Sequence, residues 1–216
     1  MRIALLVSLA GLLFAASCEP PPEPAPPPEP VPGPEPVPDQ EPVFQVELWP
    51  EEGIPQFHAT GAALALHEDP ARSIPLARVV RDVEAGTPIQ FDATRYQTLR
   101  PGRIAVLEAD TIRGRNLGTI SYLSREEYYG QHPAEEWPVM PGDTIDYLQY
   151  RAEGTCFVRI DGTVVDAEQC PALFGDSFEL TSEPLLDWWI RVVLDHSPAG
   201  WLLVDNAVVT EVGRGF

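Results

Sequence analysis

An all-β fold is what this sequence predicts, and three observations predict it. Apolar residues alternate with polar ones in short runs, at the period of two expected of half-buried strands. Gly, Pro, Asp and Asn break the chain between those runs at close intervals. Two cysteines, Cys156 and Cys170, flank a strand–turn–strand pattern. Many short strands with frequent turns argue for a barrel or a sandwich.

The chain opens on an address. Residues 1–18 read MRIALLVSLAGLLFAASC, a short positive start at Arg2 followed by an apolar run from Ile3 to Phe14. That is a secretory signal, too short for a permanent membrane span. Its end, Ala15-Ala16-Ser17-Cys18, resembles the lipobox of bacterial lipoproteins, with Ala15 where the family usually has Leu or another branched apolar residue. The resemblance implies cleavage after residue 17 and lipid attachment (palmitate among the acyl chains) at Cys18. Ordinary signal cleavage beside a stray cysteine is the alternative. Several acyl chains anchor stably where one is marginal. Glu19 follows the cysteine, and by resemblance to enterobacterial lipoproteins the lack of Asp there favours the outer membrane.

Residues 18–43 form the acylated terminus and a linker. Of the 25 residues 19–43, thirteen are Pro and six are acidic, with no basic residue. Pro fixes φ and donates no backbone hydrogen bond, so neither helix nor sheet is expected. A disordered, extended polyproline II tether is expected instead, reaching roughly 75 to 80 Å. Without basic flanking residues it makes a poor ligand for a proline-recognition domain.

Residues 44–216 carry 13 arginines against 27 acidic residues, a formal charge of −14; the whole chain is at −19 and has no lysine. Such a surface repels nucleic acid and anionic headgroups, so no nucleic-acid partner is expected. Strands are expected at 87–91, 103–107, 119–123, 146–150, 156–160, 163–166, 188–194, 201–205 and 208–212. One short helix is expected at 124–129, where Ser124 and Glu127 have capping-box spacing and Gly130 can end the helix. Residues 126–140 read as a connection between two halves, 44–125 and 141–216.

With Cys18 acylated, export leaves Cys156 and Cys170 in an oxidising compartment, where a pair becomes a disulfide. The bridge would close the hairpin turned at Asp161-Gly162.

The stretch 64–91 resembles the opening of bacterial Src-homology-3-like (SH3-like) domains. Leu64, Leu66 and His67 fall on the first strand and Asp69-Pro70 on the turn; Val79, Val80, Val83, Gly86, Thr87 and Ile89 make the second. His67 stands where that family usually has Arg, and Asp69 where it has Gly. Trp189, Val192, Gly200, Trp201 and Leu202 fit the family's closing pattern of Trp-x-x-Val followed by Gly-Trp. About 100 residues separate the two stretches. Either the chain holds two SH3-like barrels, with Leu148-Gln149-Tyr150-Arg151 opening the second, or one barrel carries a large insertion. The resemblance implies a non-catalytic module that recognises peptidoglycan or a peptide of an envelope protein; a structural or assembly lipoprotein with no ligand groove is the alternative, ahead of an undetected hydrolase.

The remaining chemistry is sparse. Gly175-Asp176-Ser177-Phe178 resembles a hydrolase opening, but only 39 residues follow Ser177 and Asp195-His196 lacks the partner spacing. No Gly-x-Ser-x-Gly, Walker loop or His-Glu-x-x-His is present, so neither an enzyme nor a cofactor is expected. His58, His67, His132 and His196 are scattered. Glu108, Asp110, Asp161, Asp166 and Glu168 read as a solvated acidic face ahead of a weak cation site; no metal is expected. Strand alternation puts Trp188, Ile190 and Val192 on one face, the natural core set. It leaves Trp189 and Arg191 on the other, either at a ligand or against the neighbouring half. Trp189, Arg191, Trp201 and Tyr150 are therefore the ligand-binding candidates.

Overall fold

The computed structural model describes residues 41–47, 53–74, 76–81, 83–130 and 132–215. The expected signal segment, Cys18 as the expected site of lipid attachment and the expected linker up to residue 40 lie outside them. The strands are β1 (Phe44–Val46), β2 (Ile54–Ala59), β3 (Leu64–His67), β4 (Leu76–Val80), β5 (Pro88–Ile89), β6 (Phe91–Arg100), β7 (Gly102–Val106), β8 (Asp110–Gly118) and β9 (Tyr122–Leu123). After a helix α1 (Arg125–Tyr128) come β10 (Ala134–Val139), β11 (Thr144–Tyr150), β12 (Cys156–Ile160), β13 (Thr163–Ala167), β14 (Phe178–Ser182), β15 (Leu185–Leu194), β16 (Ser197–Leu203) and β17 (Val209–Gly215). The fold is nearly all β, as expected.

Local chemistry accounts for the connections. Ser124 accepts from the Glu127 N–H while the Glu127 carboxylate accepts from the Ser124 N–H, the reciprocal cap foreseen from their spacing. Asp161 and Gly162, at φ 48° and 82°, turn β12 directly into β13. Both central residues of that two-residue turn need positive φ, which Gly adopts without cost. Asp195 and His196 do the same between β15 and β16, at φ 51° and 63°.

The strands form three sheets. The first runs β4-β3-β16-β15-β6-β1-β9, the second β10-β8-β13-β12-β11-β7-β14 and the third β17-β2-β5. None of the three closes on itself among the described residues. Strand pairing also crosses the expected boundary between 44–125 and 141–216. β15 and β16 pair into the same sheet as β3, β4 and β6, whereas 102–182 supplies all of the second sheet. The connection expected at 126–140 is α1 followed by β10, paired antiparallel to β8 from Ala134 to Val139. Two acidic residues and Pro138 hid that strand, and all three are tolerable at a sheet edge.

Three apolar clusters hold the sheets. One, including Ile104, Ile145, Val158 and Val165, packs on one face of the second sheet. Another joins Phe44 and Val46 of β1 to Leu148, Phe157 and Val164. The last packs Leu66, Ile190, Val192 and Leu202 of the first sheet on Phe57, Ala59 and Val209 of the third. Trp188 packs against this last cluster, so Trp188, Ile190 and Val192 share the core face, as alternation requires. The first sheet is thus covered on one side by both other sheets, and its opposite side is left to polar and aromatic residues.

Candidate ligand-binding site

That opposite side holds three of the four sequence candidates. Register aligns His67, Trp201, Arg191 and Ala93 in one row across the sheet, and Leu203, Trp189 and Arg95 in the next. The Arg95 guanidinium lies over the Tyr122 ring at 5.3 Å and the Trp201 ring at 5.1 Å, and Arg191 lies over Trp201 at 5.8 Å. Each arginine is also held by a carboxylate, Arg95 by Glu47 at 2.5 Å and Arg191 by both oxygens of Asp92 at 2.7 and 3.0 Å. The bond from Asp92 raises the Arg191 pKa above its ordinary value. Burial, with a hydrogen bond to Glu47, pushes the Tyr122 phenol up to about 12. Each arginine is thus paired with a carboxylate and stacked on an aromatic ring, while the buried Arg95 Nε is left without a hydrogen-bond partner among the described residues.

Trp189 is closed off from solvent, against the neighbouring half. Its side chain is fully buried, 0% exposed. The indole N–H donates to Gln97 at 3.0 Å, and the His67 ring meets it edge-on at 5.2 Å. Gln97 donates onward to the Pro70 carbonyl, and Arg72 makes a two-pronged pair with Asp187 at 2.7 and 2.8 Å. The segment after β3 therefore folds over this part of the sheet and seals Trp189 from water. Trp201 is nearly as buried, at 7%, and of the trio only Arg191 keeps substantial exposure. Alternation identified the face correctly but carried no information about the loop that covers it.

Tyr150, the fourth candidate, is on β11 in the second sheet, far in pairing order from the other three. Its hydroxyl accepts from the Gly154 N–H at 3.3 Å, and the Gly154 carbonyl accepts from Cys170 N at 2.7 Å. Cys170 is disulfide-bonded to Cys156, as the sequence predicted. The Phe174 ring lies against Gly154, where a Cβ would stand 2.5 Å from it; at φ +81° the position favours Gly on both counts. The bridge thus latches the 170–175 loop onto the 151–155 turn.

Beside that latched loop is a cleft of about 540 Å³. Phe174, Phe178, Pro171 and Ile112 give it apolar walls, and Asp110, Arg113 and Glu168 give it charge. Arg113 and Glu168 face each other at 3.4 Å, both well exposed. Its neighbouring loops are tied together: Leu107 and Glu108 donate to the Ser177 carbonyl, and Gly142 donates to Val106. Leu107, Met140, Leu173 and Phe174 stand 50 to 59% exposed on these loops. Concave, mixed apolar and polar sites of this size are where ligands bind. A second cleft, of about 360 Å³ between β2 and β5, has no carboxylate or guanidinium among its described lining residues.

The structure divides the acidic residues named from sequence. Asp110 and Glu168 meet at the cleft; Asp161 turns a hairpin. Asp166 is buried and pairs with Arg115 at 2.5 Å and Arg151 at 3.3 Å, and both arginines also donate to the Tyr128 hydroxyl. Burial lowers the Arg115 pKa, but the charge and hydrogen bond of Asp166 outweigh it and the net shift is upward. This is a structural cluster tying α1 to β8, β13 and the end of β11. No group of three or more His, Cys, Asp or Glu side chains is placed to hold a metal among the described residues. Ser177 sits in the turn before β14. Of the cleft residues, Phe174 carried no expectation from sequence, and Phe178 entered only through the Gly175-Asp176-Ser177-Phe178 motif. Their signal was the apolar pair Leu173-Phe174 beside a disulfide cysteine, in a segment with no strand pattern.

Comparison with family models, with curated proteins and with solved structures finds no match to the chain.

Proposed function

We propose that the chain is a membrane-anchored, non-catalytic binding module of the bacterial cell envelope, recognising peptidoglycan or a peptide of an envelope protein. The observation that carries the binding reading is the cleft beside Cys170, open between apolar loops that fold without covering their own Leu107, Met140, Leu173 and Phe174. A disulfide at the base of that loop accords with an exported protein. The lipobox-like Ala15-Ala16-Ser17-Cys18 and the Pro-rich stretch behind it supply the anchor and the reach. The SH3-like resemblance enters in its single-unit form. β3 and β4 of its first stretch and β15 and β16 of its second lie in one sheet, β5 lies in the third, and 102–182, which also lends β9 to the first sheet, is read as the insertion.

Two measurements test this reading. Mass spectrometry of the mature N-terminus should find an acylated Cys18, and Cys18→Ser should release the protein from membranes. Purified peptidoglycan and solubilised envelope proteins are then each offered to the full chain. Retention of one of them, reduced by Phe174→Ser without unfolding, supports the reading; an unmodified terminus, or retention of neither, overturns it.

A further inference from the structure

We infer that the cleft takes a segment of a partner polypeptide in which an apolar side chain lies beside lysine or arginine. The inference rests on the binding reading above and names its ligand. The apolar part follows from the walls: Phe174, Phe178, Pro171 and Ile112 offer a pocket, and Leu107 and Met140 extend the apolar surface beyond it. Buried anchors in such pockets carry most of the energy of an interface. The extent of that surface, spread over three loops, fits a polypeptide better than a small solute.

The cationic part follows from charge. Glu108, Asp110, Asp143, Glu168 and Asp176 stand exposed on these loops, and Arg113 answers them while itself facing Glu168. The surplus sits on a folded region already at −14. A ligand rich in free carboxylates, peptidoglycan included, is repelled at this end, whereas a basic segment is steered to it.

The test uses the full acylated chain in detergent and a short fluorescein-labelled peptide of lysine, leucine and phenylalanine, read by anisotropy. The double variant Asp110→Asn, Glu168→Gln should weaken binding about fivefold, and Phe174→Ser about tenfold. Removing the same charge elsewhere, by Glu126→Gln with Asp195→Asn, should change it less than about twofold. A matched peptide with glutamate for lysine should not bind. Near-ultraviolet circular dichroism checks each fold; should Phe174→Ser unfold, Leu173→Ser takes its place. Equal weakening by the two charge variants would mean unspecific attraction of a polycation and would overturn the inference. So would an unchanged affinity on loss of the aromatic wall. If the basic peptide fails while the wild type sediments with purified peptidoglycan, the binding reading stands and this ligand is wrong; if neither binds, both fall.

Discussion

Trp189 and Gln97 are bonded to each other, indole N–H to amide oxygen at 3.0 Å, on the side of the first sheet that faces away from its apolar cluster. The amide hands the chain of bonds on to Gln45 and to the Pro70 carbonyl, so two cross-strand neighbours and one loop share a single buried polar network. Such a network stabilises only while all its members are satisfied. Trp189→Ala should therefore destabilise the fold by about 3 to 5 kcal/mol. Gln97→Leu, which strands the indole N–H and the lid, should cost about 1 to 3 kcal/mol. Urea unfolding measures both, and neither loss should be accompanied by a selective loss of ligand affinity.

Cys156 and Cys170 are separated by 14 residues and both are fully buried. Replacing both by serine should lower stability by about 3 kcal/mol on the loop-entropy account. Because the bridge latches the wall that carries Phe174, binding should weaken in the same variant while it is still folded. Equilibrium unfolding and peptide binding at low urea check the two halves of that expectation.

Asp166 and Asp92 both pair with arginine, but in different surroundings. Asp166 is 3% exposed; Asp92 and its partner Arg191 are each near 40%. Asp166→Asn leaves Arg115 and Arg151 beside a neutral amide in a buried site, at a cost of about 3 kcal/mol or more. Asp92→Asn should cost about 0 to 1 kcal/mol, because solvent screens that pair. Denaturant midpoints compared between the two variants test the contrast.

Tyr122 and Tyr147 should titrate late. Burial, with the Glu47 hydrogen bond, holds Tyr122 at about 12, and burial, with the charge of Glu183, holds Tyr147 at about 12. An unfolded phenol titrates near 10, so above about pH 10 the folded chain keeps protons that the unfolded chain gives up. The stability these two groups add is complete below about pH 10 and is lost as pH rises through about 12. Phenolate absorbance should lose one late-titrating phenol in Tyr122→Phe and one in Tyr147→Phe, relative to the unsubstituted chain.

What the sequence made legible was local. The Ser124–Glu127 cap, the Asp161-Gly162 turn, the disulfide and the core face of β15 each depend on residues within one short stretch. β8 and β10, an edge strand and its neighbour, escaped because charged and polar residues break up their apolar alternation. In β8 only Ile112, Gly114 and Leu117 are buried among charged neighbours, and β10 is acidic with a proline. Trp189 was left between two placements for the opposite reason. Its strand pattern was read correctly, but its burial comes from a loop more than 100 residues earlier in the chain. The cleft likewise joins residues 110–113 to 168–178, a meeting created by the pairing of β8 with β13 and recorded in neither stretch alone.

The most direct measurement of the central claim, a tethered module that binds through its disulfide-latched end, is site-specific photo-crosslinking in living cells. A benzophenone side chain replaces Phe174 in the full chain; the same group at Tyr129, 65% exposed beside α1, serves as the reference. The account predicts a discrete adduct from position 174, in the membrane fraction, with little or none from position 129. Equal labelling from both positions, or no adduct from 174 while the protein is folded and membrane-bound, would contradict it.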